Sequence, residues 1–173
     1  MSRAVPVFVL LVLAGLLALA YASYQRDIRQ ARERVSTGSR MAHTPCGPIE
    51  YALAGDGPAV LVVHGAGGGF DQGLDFVEPL VSSGFRVIRM SRFGYLRTPL
   101  PADASAAAQA DAHACLLDAL GIERAAIMGA SAGAPSSLQF ALRHPARCSA
   151  LDCTRAGTAP ALRRLRLGPA RRL

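Results

Sequence analysis

The residues most able to do chemistry are found at positions 129–133, where the chain has the sequence Gly-Ala-Ser-Ala-Gly. An apolar run precedes this pentapeptide, and an Ala/Leu-rich stretch with helical spacing follows it. A sharp strand-to-helix turn holds its central residue in a strained conformation and closes only when its neighbours, here Gly129 and Gly133, are small. The hydroxyl of Ser131 would then lie at a helix N-terminus, where backbone amides favour developing negative charge. The pattern predicts a nucleophilic serine for acyl transfer.

A second glycine-rich turn has the sequence His-Gly-Ala-Gly-Gly-Gly over residues 64–69. Glycines allow backbone N–H groups to point inward, and acyl transfer needs two such donors on its oxyanion. We expect one donor to be the amide of Ala66 or Gly67 and the other to be the amide of Ala132. Gly65 and the ring of His64 are expected to support this loop, with His64 bracing it and not acting as the base.

Two other functions are disfavoured by the same glycine-rich turn and by the composition. The sixth position from Gly65 is Phe70, so the dinucleotide-binding pattern fails, and a phosphate-binding Walker loop fails because the chain has no lysine. The six arginines after Cys153 have no aromatic residue near them, which argues against nucleic-acid binding. The spacing of the cysteines and histidines indicates no metal site, and we expect no cofactor.

Strands and helices are predicted in alternation through the middle of the chain. Apolar and alternating runs predict strands over 49–54, 59–63, 86–90 and 124–128, and a further strand near 148–151. Helical spacing predicts helices over 74–83, 103–120 and 132–143. Asp103 is expected to cap the second of these helices and Gly121 to end it. His113 is expected on the surface or in packing, and His144 as a helix cap. Because carboxyl ends of parallel strands share one edge of a sheet, both glycine-rich turns should face one crevice.

The four cysteines show no CxxC pair, and their spacing does not support a disulfide framework. Cys115 lies within an alanine-rich helical run and is interpreted as a small core residue.

The N-terminal segment from Ala4 to Ala22 has no charged residue and approaches the roughly 20 residues that a helix needs to span a bilayer. Residues 20–22 (Ala-Tyr-Ala) fit the cleavage site of a secretory signal, whereas the segment 24–35, which is rich in charged and helix-forming residues, fits a juxtamembrane helix. We favour a single-pass membrane anchor. Export or periplasmic release after signal cleavage is the alternative, and the orientation stays open.

Three motifs together resemble those of the α/β-hydrolases: the turn at 64–68, the loop Ser-Arg-Phe-Gly-Tyr-Leu-Arg-Thr at 91–98, and the pentapeptide at 129–133. Their order and separation are similar to those after the third, fourth and fifth strands of that family. The resemblance covers about residues 48–151, the N-terminal half of the fold, in the esterase, lipase and peroxidase-like group. It implies an incomplete doubly wound, mostly parallel sheet.

The middle motif departs from the family's D-x-x-G-x-G-x-S pattern. Ser91 stands where Asp is common, Leu96 where Gly is common, and Thr98 where Ser is common. Ser131 also argues against the haloalkane dehalogenase and epoxide hydrolase branches, which have Asp at that position.

The resemblance implies a catalytic order of Ser, acid and then His. No histidine follows His144, and Asp152 is the only carboxylate after Glu123, so the triad acid and base are unknown. After Leu151 the composition becomes rich in Arg, Ala, Pro and Gly, with six arginines and no acid from Cys153 onward. A GC-rich gene translated out of frame gives such a composition; a basic tail that binds anionic lipid or a partner is the alternative.

The sequence therefore predicts four segments: a transmembrane anchor or signal (1–23), a juxtamembrane helix and linker (24–47), a partial hydrolase core (48–152) and a basic tail, disordered or out of frame (153–173). The expected function is hydrolysis of a small-molecule ester, thioester or amide, in which a serine nucleophile forms an acyl-serine intermediate. A non-catalytic membrane-associated fragment or pseudoenzyme is the alternative.

Overall fold

A computed structural model of the chain describes residues 4–72 and 74–154. The chain divides after Gly38 into two compact units. The predicted basic tail lies outside the described residues from position 155 onward.

The first unit contains one helix, α1 (Ala4–Ser36), of 33 residues. Its most apolar 18-residue window has a mean hydropathy of 2.6, so α1 is long and apolar enough to cross a membrane. A signal sequence near the N-terminus would satisfy the same criterion of length and hydropathy. The predicted anchor and the charged stretch after it thus form one continuous helix.

The second unit contains a six-stranded sheet and three α-helices within the described residues. In chain order the elements are β1 (Arg40–Thr44), β2 (Gly47–Ala54), β3 (Ala59–Val63), α2 (Leu74–Ser82), β4 (Arg86–Met90), α3 (Ala106–Ala119), β5 (Ala125–Ala130), a 3₁₀ turn (Ser131–Gly133), α4 (Ala134–Arg143) and β6 (Cys148–Thr154). The predicted strands over 59–63 and 86–90 are confirmed, and the other predicted elements are present with shifted ends.

The sheet has the strand order β1-β2-β4-β3-β5-β6. β3 pairs in parallel with both β4 and β5, and β5 pairs in parallel with β6, whereas β1, β2 and β4 form antiparallel pairs. The chain runs from β3 outward to β4 and then returns to the other side of β3 as β5. Such a reversal of strand order opens a crevice at the carboxyl ends of the strands.

Alternating residues of the central strands bury two separate apolar clusters, one on each face of the sheet. Leu61, Ile88 and Ile127 pack on one face with residues of α3 and α4. Val60 and Val87 pack on the other face with Leu80 of α2. The sheet is thus mostly parallel and covered by helices on both faces, as the resemblance implies.

Three local expectations were wrong. Ser105 and not Asp103 caps α3: its side chain accepts a hydrogen bond from the amide of Ala108 (3.2 Å), while the Asp103 carboxylate accepts one from the Ser105 amide (2.9 Å). Residues 40–44, expected in the linker, form β1 and pair with β2. Their weakly apolar pattern does not predict a strand, because the hydrogen bonds that stabilise it come from β2.

The third correction concerns the cysteines. Cys46 and Cys115 form a disulfide across a sequence separation of 69 residues. Cys46 lies in the turn between β1 and β2, and Cys115 lies in α3, so only the folded arrangement of hairpin and helix brings them together. Spacing along the sequence carries no signal for such a pair.

Candidate active site

The two glycine-rich turns lie at the same edge of the sheet. In the parallel register of β3 and β5, Val63 is the partner of Gly129, so His64 follows the end of β3 at the level where β5 ends with Ala130. A Cβ atom built on Gly65 would lie 3.4 Å from the Cβ atom of Ser131. The loop after β3 and the bend after β5 therefore lie side by side, with room for about one methyl group between Gly65 and Ser131.

Ser131 adopts a left-handed backbone conformation, with a φ of 47°, in which side chains other than Gly, Asn and Asp are uncommon. Ser131 is the first residue of the 3₁₀ turn that joins β5 to α4, and it is exposed. The exposed residue therefore lies at the start of a helical segment. Partial positive charge from unpaired amides at such a start favours an anion.

Gly133 and Gly129 are required by close packing. A Cβ atom on Gly133 would lie 2.5 Å from the carbonyl oxygen of Val63 and 2.7 Å from that of His64. One on Gly129 would lie 2.5 Å from Oγ of Ser137 and 2.8 Å from the Cα atom of Ala134. No side chain fits these spaces without a shift of backbone atoms, which explains the small residues on both sides of Ser131.

The loop after β3 is fixed by the side chain of Gln72, for which the sequence pattern gives no signal. Oε1 of Gln72 accepts a hydrogen bond from the amide of Gly65 (2.7 Å), and a Cβ atom on Gly68 would overlap the Gln72 side chain. Within the described residues, no hydrogen bond occupies the amides of Ala66 and Gly67, and both residues are exposed. These two amides are free to bind a ligand.

His64 is buried and both of its ring nitrogens are engaged. Nε2 accepts a hydrogen bond from the backbone amide of Arg92 (2.8 Å), so Nδ1 carries the proton and donates it to the carbonyl of Gly65 (2.7 Å). Burial is the main cause that lowers the pKa of His64 to about 4. The neutral ring joins two loops, and its supporting role in a catalytic site stays a prediction.

The loop after β4 packs against the loop after β3. The ring of Tyr95 meets that of His64 edge-on at a centroid distance of 4.7 Å, and the Tyr95 hydroxyl donates to the carbonyl of Ala66 (3.1 Å). The guanidinium of Arg92 lies 5.3 Å from the centre of the Tyr95 ring. Phe93 donates its amide to Oε1 of Gln109 (2.8 Å), which ties the loop to α3.

A buried carboxylate, which is not among the predicted site residues, also lies in this region. Glu50 of β2 has a fully buried side chain, and it forms an ion pair with Arg97 at 2.7 Å. Burial raises the pKa of Glu50, but hydrogen bonds from Arg97, Ser39 and Ser91 outweigh that effect, so its pKa lies below the ordinary value. The only signal in the sequence is one acid within an otherwise apolar strand.

The remaining histidines do not reach Ser131 by any hydrogen bond within the described residues. His113 is buried in α3 between Sδ of Met90 (2.9 Å) and Oγ of Ser136 (3.1 Å), and burial lowers its pKa to about 3. His144 ends α4 and contacts Asp111 at 2.8 Å. His43 lies on β1, at the opposite edge of the sheet from β6.

Asp152 lies on β6 as the register partner of Met128, beside β5. One of its carboxylate oxygens is buried without a hydrogen-bond partner within the described part of the chain. The same part of the chain contains no cluster of three His, Cys, Asp or Glu side chains that could hold a metal ion.

Comparison with known proteins gives the family. The profile of the alpha/beta hydrolase fold matches residues 58–169. The chain is 39% identical over 116 residues to 2-hydroxy-6-oxononadienedioate/2-hydroxy-6-oxononatrienedioate hydrolase of Paraburkholderia xenovorans, a match that covers 64% of this chain and 40% of that protein. The chain belongs to the alpha/beta hydrolase fold family.

Two solved structures are similar. An alpha/beta hydrolase fold protein from Nakamurella multipartita is 41% identical, with a TM-score of 0.65. The match covers 67% of this chain and 40% of that protein. An epoxide hydrolase from an endophytic Streptomyces is 30% identical, with a TM-score of 0.62. The match covers 68% of this chain and 37% of that protein. The chain thus spans about two fifths of the length of these relatives.

The close packing at Gly133 predicts a large effect of one methyl group. Gly133→Ala should lower the free energy of unfolding by about 1–3 kcal/mol, because the new Cβ atom overlaps the carbonyl oxygens at the end of β3. Gly67→Ala is the matched control, since its Cβ atom would lie 3.8 Å from Nε2 of Gln72, an ordinary contact. Urea denaturation of both variants measures the difference; equal losses of stability would contradict the packing.

The lowered pKa of His64 predicts a pH dependence of stability. Above pH 6.5 the ring is neutral in the folded and the unfolded chain. Between pH 6.5 and about 4 only the unfolded chain takes up the proton, so the free energy of unfolding falls as the pH falls. His64→Gln should reduce this slope by up to about 1.4 kcal/mol per pH unit. Denaturation midpoints between pH 4 and 7 test it; the same slope in both proteins would refute it.

Proposed function

We propose that this chain carries the nucleophile and the oxyanion-binding half of a serine hydrolase that acts on a small-molecule ester, thioester or amide. Ser131 attacks the carbonyl carbon, and the resulting acyl-serine is hydrolysed by water. The observation that carries the proposal is the left-handed bend at Ser131, exposed and beside the glycine-rich loop after β3.

The proposed oxyanion donors are backbone amides. The amide of Ala132 follows the nucleophile directly, and that of Ala66 or Gly67 approaches from the adjacent loop. Main-chain donors held by rigid turns need no reorganisation as negative charge develops, and each one contributes roughly 3 kcal/mol to the stability of a transition state. The contacts of Gln72 and Tyr95 with this loop support such rigidity.

A hydroxyl nucleophile favours acyl substrates over epoxides. Attack of a serine oxygen on a carbonyl gives an ester, which water cleaves to regenerate the hydroxyl. Attack on an epoxide would give an ether at Ser131, which water does not cleave, so the enzyme would stop after one turnover. For this reason the likeness to an epoxide hydrolase supports the fold of this chain and not that substrate.

The alternative is a non-catalytic, membrane-associated fragment or pseudoenzyme. It is favoured by one observation: each histidine of the chain is engaged elsewhere or lies away from Ser131. A serine without a general base loses most of its activation, although an oxyanion site alone retains part of the rate enhancement. The two functions differ in whether Ser131 reacts with an electrophile.

Labelling with a fluorophosphonate probe tests the proposed nucleophile. The unmodified chain should form a covalent adduct at Ser131, and Ser131→Ala should remove at least about nine tenths of the label, since one group supplies the reacting oxygen. Ser149→Ala, at an exposed serine of β6, is the control and should label normally. Equal labelling of Ser131→Ala and the unmodified chain would exclude Ser131; no adduct on either would favour the non-catalytic alternative.

We further propose that α1 anchors the chain in a membrane, with the hydrolase unit on the oxidising side. The apolar length of α1 supports the anchor, and the disulfide supports the side, because disulfides persist in periplasmic and extracellular environments and are rare in the cytosol. Removal of α1 as a signal would deliver the unit to the same compartment.

Thiol alkylation of acid-quenched and denatured cells distinguishes an oxidising from a reducing compartment. Maleimide-polyethylene glycol added after denaturation without reductant should modify the free thiols Cys148 and Cys153 but not the disulfide-bonded pair. Reductant should add two further modifications, and Cys46→Ala should expose one without it. Four modifications in the absence of reductant would place the unit in a reducing compartment.

A further inference from the structure

The buried carboxylate of Glu50 accepts four hydrogen bonds, which use both of its oxygens. Oε1 accepts from Oγ of Ser39 (2.7 Å) and from Nε of Arg97 (2.7 Å). Oε2 accepts from Oγ of Ser91 (2.9 Å) and from the backbone amide of Arg97 (3.1 Å). A carboxylate held in this way is ionised and fixed in orientation.

Ser91 connects the Glu50 carboxylate to the glycine-rich loop through two hydrogen bonds. Its hydroxyl gives its only proton to Glu50, so its lone pairs face outward, and one of them accepts the amide of Phe70 at 3.1 Å. Ser91 and Phe70 are both buried. The direction of the Ser91 hydroxyl, and with it the anchor for the Phe70 amide, is therefore set by the charge on Glu50.

Position 91 is also where the chain departs from the family motif, which commonly has an aspartate there. An aspartate would have lone pairs to accept the Phe70 amide without help. A serine hydroxyl can rotate and can point its proton toward the amide, unless a strong acceptor on its other side holds that proton. Glu50 is such an acceptor, and it is contributed by the neighbouring strand β2.

We propose that Glu50 is a positioning residue for the oxyanion loop, and that Glu50 and Ser91 together replace the aspartate of the family motif. The pair fixes the end of the loop at Phe70, as Gln72 fixes its start at Gly65. The amides of Ala66 and Gly67 lie between these two anchors. The catalytic part of this inference rests on the proposed function; the structural part does not.

The experiment moves the carboxylate from one position to the other in the full chain. Glu50→Gln retains the shape but replaces the charge by an amide, Ser91→Asp adds a second carboxylate beside the first, and the double variant carries one carboxylate at the family's position. Glu123→Gln, at an exposed glutamate, is the charge control. Ile122→Ala, in the core, is the control for lost stability.

Amide hydrogen exchange of Phe70 gives the first measurement and needs no enzymatic activity. Glu50→Gln should speed this exchange by about tenfold, the factor that corresponds to loss of one charge-assisted hydrogen bond. The double variant should restore the rate to within about threefold of the unmodified chain. Unchanged exchange in Glu50→Gln, an equal increase in Ile122→Ala, or failure of the double variant to restore the rate would each overturn the proposal.

The fluorophosphonate labelling rate of Ser131 gives the second measurement. It should fall by about tenfold in Glu50→Gln, recover in the double variant and stay unchanged in Glu123→Gln. If the unmodified chain takes no label, the proposed function fails, while the exchange rates still decide whether Glu50 positions the loop. If the chain is labelled and Glu50→Gln reacts at the same rate, the positioning role is refuted and the proposed function stands.

Discussion

The approach of Gly133 to the carbonyl oxygens at the end of β3 constrains the rest of this structure. Parallel pairing of β3 with β5 brings two loops to one edge, but pairing alone would leave them separated by the width of their side chains. The absence of a Cβ atom at Gly133 lets the turn after β5 rest directly on the backbone of Val63 and His64. The relative positions of Ser131 and the glycine-rich loop follow from that contact.

Around this contact, most of the support is given by neutral or fully paired groups. His64 uses both ring nitrogens to join two loops, and Gln72 and Tyr95 hold the loop after β3 from either side. None of these side chains needs to change its protonation state to keep the site in place. The supporting side chains are thus different from the proposed reacting groups, which are one hydroxyl and several backbone amides.

The sequence predicted well the elements whose signal is local. Residues 59–63 are a continuous apolar run, and residues 86–90 contain the buried apolar residues Val87, Ile88 and Met90; the observed bounds of both strands agree with the prediction. The bend at Ser131 was expected because small residues flank it, and the structure has a positive φ there.

Features that depend on distant partners were missed. Residues 40–44 become a strand only through pairing with β2, and the disulfide joins residues 69 positions apart. The contact of Gln72 with Gly65 depends on the path of the loop between them. The proposed role of Glu50 depends on the pairing of β2 with β4, which brings Glu50 next to Ser91. Capping of α3 was misplaced by two residues, because Asp and Ser are both good caps and only the backbone geometry chooses between them.

The left-handed conformation at position 131 has a consequence for how this bend could change during evolution. Besides glycine, the side chains that best tolerate such a φ are asparagine and aspartate, whose short polar groups bond to nearby backbone. A carboxylate could therefore replace the hydroxyl there with little cost to the backbone. The bend can thus carry a carboxylate oxygen in place of the proposed nucleophilic hydroxyl, without any rebuilding of the sheet beneath.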